Sequence, residues 1–236
     1  MLQVIHYLPI VTTIIAFSFT GVLLRHWMRK RSATYLLWWG IGTLMFGIGT
    51  STEAIHALFG WNEANLKAWY ISGALFGAFP LAQGTVYLLF KKKTADVMAG
   101  MITIYCLIAS ILIAASPINS SMVTGELTGK VLGWSWVRAF SPLPNMYGLI
   151  FLVGGAAWSA IQYARKQGSG NRALGNWLIA LGGLLPGIGG TFTRLGFVEI
   201  LFITEFFGIS LIWAGYRVIL SASQPSIHPI QQQTQI

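Results

Sequence analysis

Ionisable side chains within apolar segments are the residues of this sequence best suited to chemistry, because a charge is costly in an apolar environment. Those that lie in or beside long apolar runs are His6, Glu53, His56, Arg194, Glu199 and Glu205. Glu53 and His56 are three residues apart, so they share one face of a helix. Glu-x-x-His is the half-motif that di-iron bundle proteins use twice, and here it occurs once.

The sequence leaves three interpretations of this group open. Glu205 adds a second carboxylate to Glu53 and His56 if their helices are adjacent, which would complete a metal site. Alternatively, Glu53 or Glu205 pairs with Arg194 or a histidine, and this buried polar contact fixes the register of the helices. The third interpretation is an outward-facing acidic pocket, to which Glu199 and Arg194 also contribute, that binds a cation, a proton or a polar ligand.

Haem is a further candidate cofactor, because His6 and His56 fall at similar depth and two histidines from adjacent helices can be its axial ligands. The sequence does not decide between a metal ion and haem. It predicts no catalytic residue. The Gly-x-Ser-x-Gly, His-Glu-x-x-His and Gly-x4-Gly-Lys-Ser/Thr motifs are absent, and the one aspartate, Asp96, lies beside Lys91–Lys93. Enzymatic activity is therefore disfavoured.

The elements that must position these residues are membrane-spanning helices. Charged residues make up 9 % of the chain and hydrophobic residues 55 %, with a mean hydropathy of +0.65, whereas about a quarter of the residues in a soluble domain are charged. The net charge of +9 comes from short basic clusters between apolar runs. That distribution is typical of membrane topology signals, so the predicted partner is the lipid bilayer and not nucleic acid.

Apolar runs of about 17–25 residues have the length of a transmembrane helix. The sequence contains seven: Val4–Leu24, Tyr35–Phe59, Ala68–Phe90, Val97–Ala115, Met146–Tyr163, Leu174–Phe192 and Phe197–Leu220. The predicted fold class is therefore an all-α integral membrane protein, a bundle of seven transmembrane helices.

Basic residues set the predicted orientation through the positive-inside rule. One side of the predicted membrane holds Arg25, Arg29, Lys30, Arg31, Lys91, Lys92, Lys93, Arg165, Lys166, Arg172 and Arg217, and the other side holds Lys67, Lys130, Arg138 and Arg194. The N-terminus is thus expected outside and the C-terminus in the cytoplasm, in a plasma membrane or a bacterial inner membrane. Residues 1–220 form the predicted membrane domain, with an outer loop over 116–145, and residues 221–236 a disordered cytoplasmic tail.

The first three and last three spans share a pattern that suggests parallel internal repeats, 4–90 and 143–220, joined by a linker helix over 97–115. Gly47-Ile48-Gly49 matches Gly187-Ile188-Gly189, and the segments Gly77–Leu89 and Gly208–Leu220 align without gaps. This 3+1+3 topology resembles that of SWEET-type transporters, and the outer N-terminus with seven helices resembles rhodopsin-like proteins. The resemblance is limited to topology, because the seventh span has no lysine for retinal and the chain has no Pro-Gln dipeptide.

Small residues and prolines predict how the helices pack. Gly73-x-x-x-Gly77 and Gly183-x-x-x-Gly187 have the spacing that lets helix backbones approach closely, so tight packing within the bundle is expected there. Pro80 and Pro186 fall inside the third and sixth spans and are expected to kink them.

The function predicted from these features is a non-enzymatic bundle that binds a small ligand or an ion, as a transporter or a receptor does. One alternative is an accessory subunit of a larger membrane complex of the electron-transfer type, which would have other membrane subunits as partners. Another is a metal- or haem-binding membrane protein. The sequence is also compatible with a homo-oligomer.

Overall fold

A computed structural model describes residues 4–123 and 125–222 of the chain. The side chains of Val4 and Arg194 lie outside the described residues, as does the predicted cytoplasmic tail beyond residue 222. The regular secondary structure of the described chain is helical apart from one isolated antiparallel bridge between Ile118 and Leu132.

The α-helices of the described chain are α1 (Leu8–Arg29), α2 (Thr34–Phe59), α3 (Glu63–Trp69), α4 (Phe79–Leu89), α5 (Lys92–Ala115), α6 (Pro142–Tyr147), α7 (Gly155–Ala164), α8 (Gly170–Arg194) and α9 (Val198–Ser221). A π-helical turn, Tyr70–Leu75, follows α3, and a second, Gly148–Gly154, joins α6 to α7. Short 3-10 helices lie at Val4–Tyr7, Ser120–Met122, Gly129–Val131 and Ser135–Phe140.

Six helical stretches of the described residues are long and apolar enough to cross a membrane: Ile5–Arg29, Glu63–Leu89, Lys92–Ala115, Ser135–Ala164, Gly170–Thr193 and Val198–Ser221. The remaining long helix, α2, has 26 residues and so a length of about 39 Å, but it is not among them. Its small and polar residues are buried against other helices, including Gly42, Thr43, Gly49, Thr50 and Glu53. Its composition therefore reflects its place inside the bundle.

The outward faces of the helices are apolar. Ile14 on α1 is 61 % exposed, and Met101 and Ile111 on α5 are 62 % and 69 % exposed. Soluble proteins rarely present large contiguous apolar surfaces to water, and lipid is the environment in which such faces are stable. The chain is a multi-pass membrane protein with an all-helical bundle.

The long helices are arranged as a ring. α1 packs against α2, α2 against α3 and α4, α4 against the Gly148–Gly154 turn and α7, α7 against α8, α8 against α9, and α9 against α1. Apolar side chains fill the centre of this ring, among them Phe19, Leu81, Leu152, Ile179 and Ile212. α5 lies on the outside of the ring, where it packs against α4 and the Tyr70–Leu75 turn.

Glycines let α8 and α9 approach closely. A Cβ on Gly182 would lie 2.6 Å from the carbonyl oxygen of Gly208, and a Cβ on Gly175 would lie 2.7 Å from that of Gly215. Within each helix these glycines are seven residues apart, which keeps them on the face that meets the partner helix. The two backbones are thus in contact along α8 and α9.

The small-xxx-small motifs predicted from the sequence contribute less to this packing. A Cβ on Gly187 would meet no neighbour within 4 Å, so the tight packing predicted at that residue is wrong. Gly183 faces Leu152, whose Cδ2 would lie 3.0 Å from an added Cβ. The seven-residue spacing, rather than the four-residue spacing, is the one that places glycines between helices.

The two prolines lie in different parts of their helices. Pro80 lies in the first turn of α4, and the chain is interrupted just before it, at residues 76–78, so the third span is broken rather than kinked. Proline is tolerated in the first turn because the N–H it lacks has no helical acceptor there. Pro186 lies inside α8, which is one helix from Gly170 to Arg194, and the kink expected there stays a prediction.

Residues 116–141 cover one end of the bundle, which we call the outer end after the predicted orientation. Gly133 N donates to Pro117 O (2.7 Å) and Asn119 N to Val131 O (2.8 Å), which ties the two ends of the segment together. Val131, Leu132 and Val137 are buried against α3 and α5 side chains such as Leu66 and Ile113. Trp134 and Trp136 stack and remain exposed, as expected for rings at headgroup depth.

Candidate functional site

Two carboxyl groups from opposite parts of the chain meet inside the bundle near its outer end. Glu53 of α2 is 2 % exposed, and its side chain is within hydrogen-bonding reach of the side chain of Glu205 on α9. We refer to Glu53 and Glu205 as the carboxyl pair. Of the ionisable residues predicted from the sequence, these two are brought together by the fold.

The oxygens of the carboxyl pair are only partly supplied with donors. Trp69 Nε1 donates to Glu53 Oε1 at 2.9 Å. With both groups as carboxylates, the buried Oε2 atoms of Glu53 and Glu205 have no donor among the described residues. A carboxylate only accepts, so the contact becomes a hydrogen bond when one group carries a proton. A proton shared between the two carboxyl groups, or a bound cation, is the kind of partner that these oxygens lack.

Local structure at the junction of α2 and α3 positions Glu53 and its donor. Asn62 caps α3 by accepting from Asn65 N (3.1 Å), and Asn65 Nδ2 donates to Thr52 O (2.8 Å). The second bond ties the start of α3 to the residue that precedes Glu53. α3 packs against α2, and this places the Trp69 indole beside the carboxyl group.

Glu205 is positioned by the close contact of α8 and α9. The adjacent Thr204 lies so near Gly189 of α8 that a Cβ there would overlap its hydroxyl group. On the other side of α9, Phe202 makes an edge contact with the His6 ring, with centroids 6.3 Å apart. These neighbours fix α9, and Glu205 then reaches Glu53 from α9.

The other predicted residues lie elsewhere. His56 lies against the backbone of Gly60 and Gly125 and near Glu126 of the 116–141 segment. Glu199 is half-buried in the first turn of α9. Arg194 ends α8, and its side chain lies outside the described residues, so its predicted pairing with a glutamate stays a prediction.

The structure does not gather the three ligands that the metal hypothesis needs. In the described part of the chain, no group of three or more His, Cys, Asp or Glu side chains could hold a metal ion. Glu53 and Glu205 meet, but His56 has the separate neighbours given above. His6 contacts Phe202 and His56 lies against the backbone of Gly60 and Gly125, and the haem hypothesis stays a prediction.

Glu53 is buried, and so are the Oε2 atoms of both members of the carboxyl pair, whereas Glu205 as a whole is half-buried. A groove of about 340 Å³ lies between α1 and α9, and a space of about 10 Å³ lies at the centre of the ring near Trp39 and Tyr216. Neither is lined by Glu53 or Glu205. The predicted outward-facing acidic pocket therefore stays a prediction.

Several polar contacts were not predicted from the sequence. Trp69 is 16 residues from Glu53, and nothing in the local pattern links the two. Gln83 is fully buried; it donates to Ala95 O at 2.9 Å and accepts from the Tyr147 hydroxyl at 2.5 Å. A glutamine inside an apolar run is the signal that indicates such a contact, although it does not identify the partner.

Compared with models of protein families, with curated proteins and with solved structures, the chain has no significant match.

Proposed function

We propose that the chain crosses the membrane seven times, with its N-terminus outside, and that α2 is the seventh membrane-spanning helix. The basic residues of the α4–α5 and α7–α8 connections, Lys91 and Arg165 among them, and those at the end of α1 lie at the end of the bundle opposite residues 116–141. The positive-inside rule assigns that end to the cytoplasm of a cell with a plasma or inner membrane. We call it the inner end.

The bundle is further proposed to consist of two parallel halves, α1–α4 and α6–α9, with α5 as the linker. Matched contacts support this. In the register that aligns Gly49 with Gly189, Gly42 corresponds to Gly182. In the register that aligns Gly77 with Gly208, Leu81 corresponds to Ile212. A Cβ on Gly42 would lie 2.8 Å from the backbone nitrogen of Leu81, and a Cβ on Gly182 would lie 2.9 Å from the backbone nitrogen of Ile212.

A second pair of contacts repeats in the same way. Gly84 of α4 corresponds to Gly215 of α9. Tyr35 of α2 corresponds to Gly175 of α8. A Cβ on Gly84 would lie 2.9 Å from the carbonyl oxygen of Tyr35, and a Cβ on Gly215 would overlap the carbonyl oxygen of Gly175. Internal repeats of this kind are the architecture of many secondary transporters, in which ion sites lie between the repeats.

The proposed function is that of a transporter-like membrane protein that binds a proton or a small monovalent cation between Glu53 and Glu205. The observation that carries this proposal is the carboxyl pair itself, which joins one half to the other and leaves two buried oxygens without a donor. Unpaired ionisable groups at membrane depth are expensive and typical of ion pathways. Opening of the ring at the outer end would expose this site to the outside.

Infrared spectroscopy tests the binding step directly. The wild-type protein in liposomes at neutral pH is expected to show the C=O stretching band of a buried protonated carboxylic acid. Glu53→Gln and Glu205→Gln should each remove or shift that band, because the substitution either removes the protonated group or replaces its carboxylate partner by an amide. Glu199→Gln is the matched control, since Glu199 lies on the same predicted side and outside the pair, and it should leave the band unchanged.

Transport is measured with the same variants in liposomes that contain a pH-sensitive dye. An imposed sodium, potassium or proton gradient should change the internal pH in the wild type and in Glu199→Gln. It should have no effect in Glu53→Gln or Glu205→Gln. A band that is unchanged in position and intensity in both pair variants would overturn the binding proposal, and equal dye responses in all four proteins would overturn the transport proposal.

A further inference from the structure

The groove between α1 and α9 lies in a different part of the molecule from the carboxyl pair. It has a volume of about 340 Å³ and is lined by Ile15, Ser210, Trp213, Ala214 and Arg217. Four of these residues follow the helical spacing of i, i+3, i+4 and i+7 along one face of α9. The groove therefore runs lengthwise between the two helices, and it extends about 10 Å from Ser210 to Arg217.

The two ends of the groove differ in chemistry. Ile15, Trp213 and Ala214 make its walls apolar. Arg217 lies one turn from the end of α9, is exposed, and takes part in neither of the ion pairs found in the described chain. The groove thus combines apolar walls with a guanidinium group, outside the ion pairs of the described chain, at the inner end.

The surrounding charge is also basic. Arg25 and Arg29 lie in the last turns of α1 and are exposed at the same end. Basic side chains in this position attract anionic lipid headgroups and contribute additively to their binding. An arginine also matches phosphate oxygens with two parallel hydrogen bonds.

We propose that this groove is a binding site for one anionic phospholipid of the inner leaflet, with Arg217 at the phosphate group and an acyl chain along Trp213 and Ala214. The assignment to the inner leaflet rests on the proposed orientation. α1 belongs to the first half of the bundle and α9 to the second, so the lipid would occupy the junction where the ring closes and hold the two halves together.

Native mass spectrometry of the full chain in neutral detergent tests the proposal. Phosphatidylglycerol and phosphatidylcholine with identical acyl chains are added separately, and the bound lipids are counted. The wild type is expected to bind one phosphatidylglycerol in preference to phosphatidylcholine. Arg217→Gln should weaken phosphatidylglycerol binding about fivefold. Arg165→Gln, an exposed basic residue at the same end and outside the groove, should have no effect.

A second variant tests the apolar part of the site. Ala214→Phe fills the groove and should reduce the binding of both lipids, whereas Ala164→Phe, at an exposed alanine of α7, should not. Equal binding of the two lipids by the wild type would overturn the proposal, as would equal loss in Arg217→Gln and Arg165→Gln. Arg217 is exposed, so its variant remains informative even if Ala214→Phe does not fold. The infrared band of the carboxyl pair should be unchanged in all four variants. A failure of the lipid proposal can therefore be distinguished from a failure of the proposed function.

Discussion

The two halves of the bundle share their backbone contacts and differ in their polar groups. Gly42 and Gly84 of the first half and Gly182 and Gly215 of the second meet the corresponding backbone atoms of the neighbouring helix. At the outer end the correspondence stops. Glu53 has Thr193 as its counterpart, Trp69 has Ile200, and Glu205 has Ala74.

This difference separates residues that hold the bundle together from residues that do something else. A contact present in both halves is explained by packing, of α2 against α4 in the first half and of α8 against α9 in the second. The carboxyl pair has no such explanation, because each half supplies one carboxyl group from a different helix and at a different position. Polar groups that have no counterpart in the other proposed half are the ones for which we propose a function.

The largest expected effect tests the shared contacts. Gly42→Ala and Gly182→Ala each place a methyl group less than 3 Å from backbone atoms of the next helix, which cannot move away as a side chain can. Overpacking of this kind costs about 1–3 kcal/mol, although alanine alone would favour the helix by about 1 kcal/mol. We expect both variants to unfold at lower fractions of denaturing detergent than the wild type.

Gly187→Ala is the control for Gly42→Ala and Gly182→Ala, because a Cβ on Gly187 meets no neighbour within 4 Å. It should be neutral or slightly stabilising. If Gly42→Ala is destabilising and Gly182→Ala is not, the two halves are not equivalent and the comparison fails.

The sequence was sufficient to predict the helical membrane bundle and the ionisable residues worth attention. Apolar runs and basic clusters are local signals, and Glu53 and Glu205 are conspicuous within such runs. Their contact was not predictable, because α2 and α9 are far apart in the chain and meet across the ring through side chains. The neighbours of His56, Gly60 and Gly125, were not predictable for the same reason, since sharing a helix face does not decide which neighbour each residue meets.

The irregular turns in the third and fifth spans also could not be predicted in detail. Both predicted spans contain a π-helical turn, Tyr70–Leu75 and Gly148–Gly154, and the third is interrupted before Pro80. A proline signals an interruption, but the helix can end before it or bend around it depending on what the freed carbonyl groups contact. Those contacts come from other helices.

An intermediate effect is expected for the donor to the carboxyl pair. Trp69→Phe removes the hydrogen bond from Nε1 to Glu53 Oε1 and leaves one more buried oxygen without a donor. The expected loss is about 1 kcal/mol in the free energy of unfolding. Trp158→Phe removes an indole that is 59 % exposed and should change the stability less. Equal losses in the two variants would mean that the bond to Glu53 does not stabilise the fold.

The smallest expected effect concerns a polar contact found in the first half alone. Thr20 Oγ1 of α1 donates to Thr43 Oγ1 of α2 at 2.8 Å, whereas the counterpart of Thr43 in the second half is Gly183, which has no hydroxyl group. Thr20→Val should cost about 0.6 kcal/mol, a typical value for a hydrogen bond between membrane helices. The loss is small because Thr43 retains its own bond to Gly40 O. Thr191→Val, which removes only a bond within α8, is the control. A larger loss in Thr20→Val than in Gly42→Ala would mean that hydroxyl groups, rather than close backbone contact, hold the first half together, and the two halves would then be stabilised by different means.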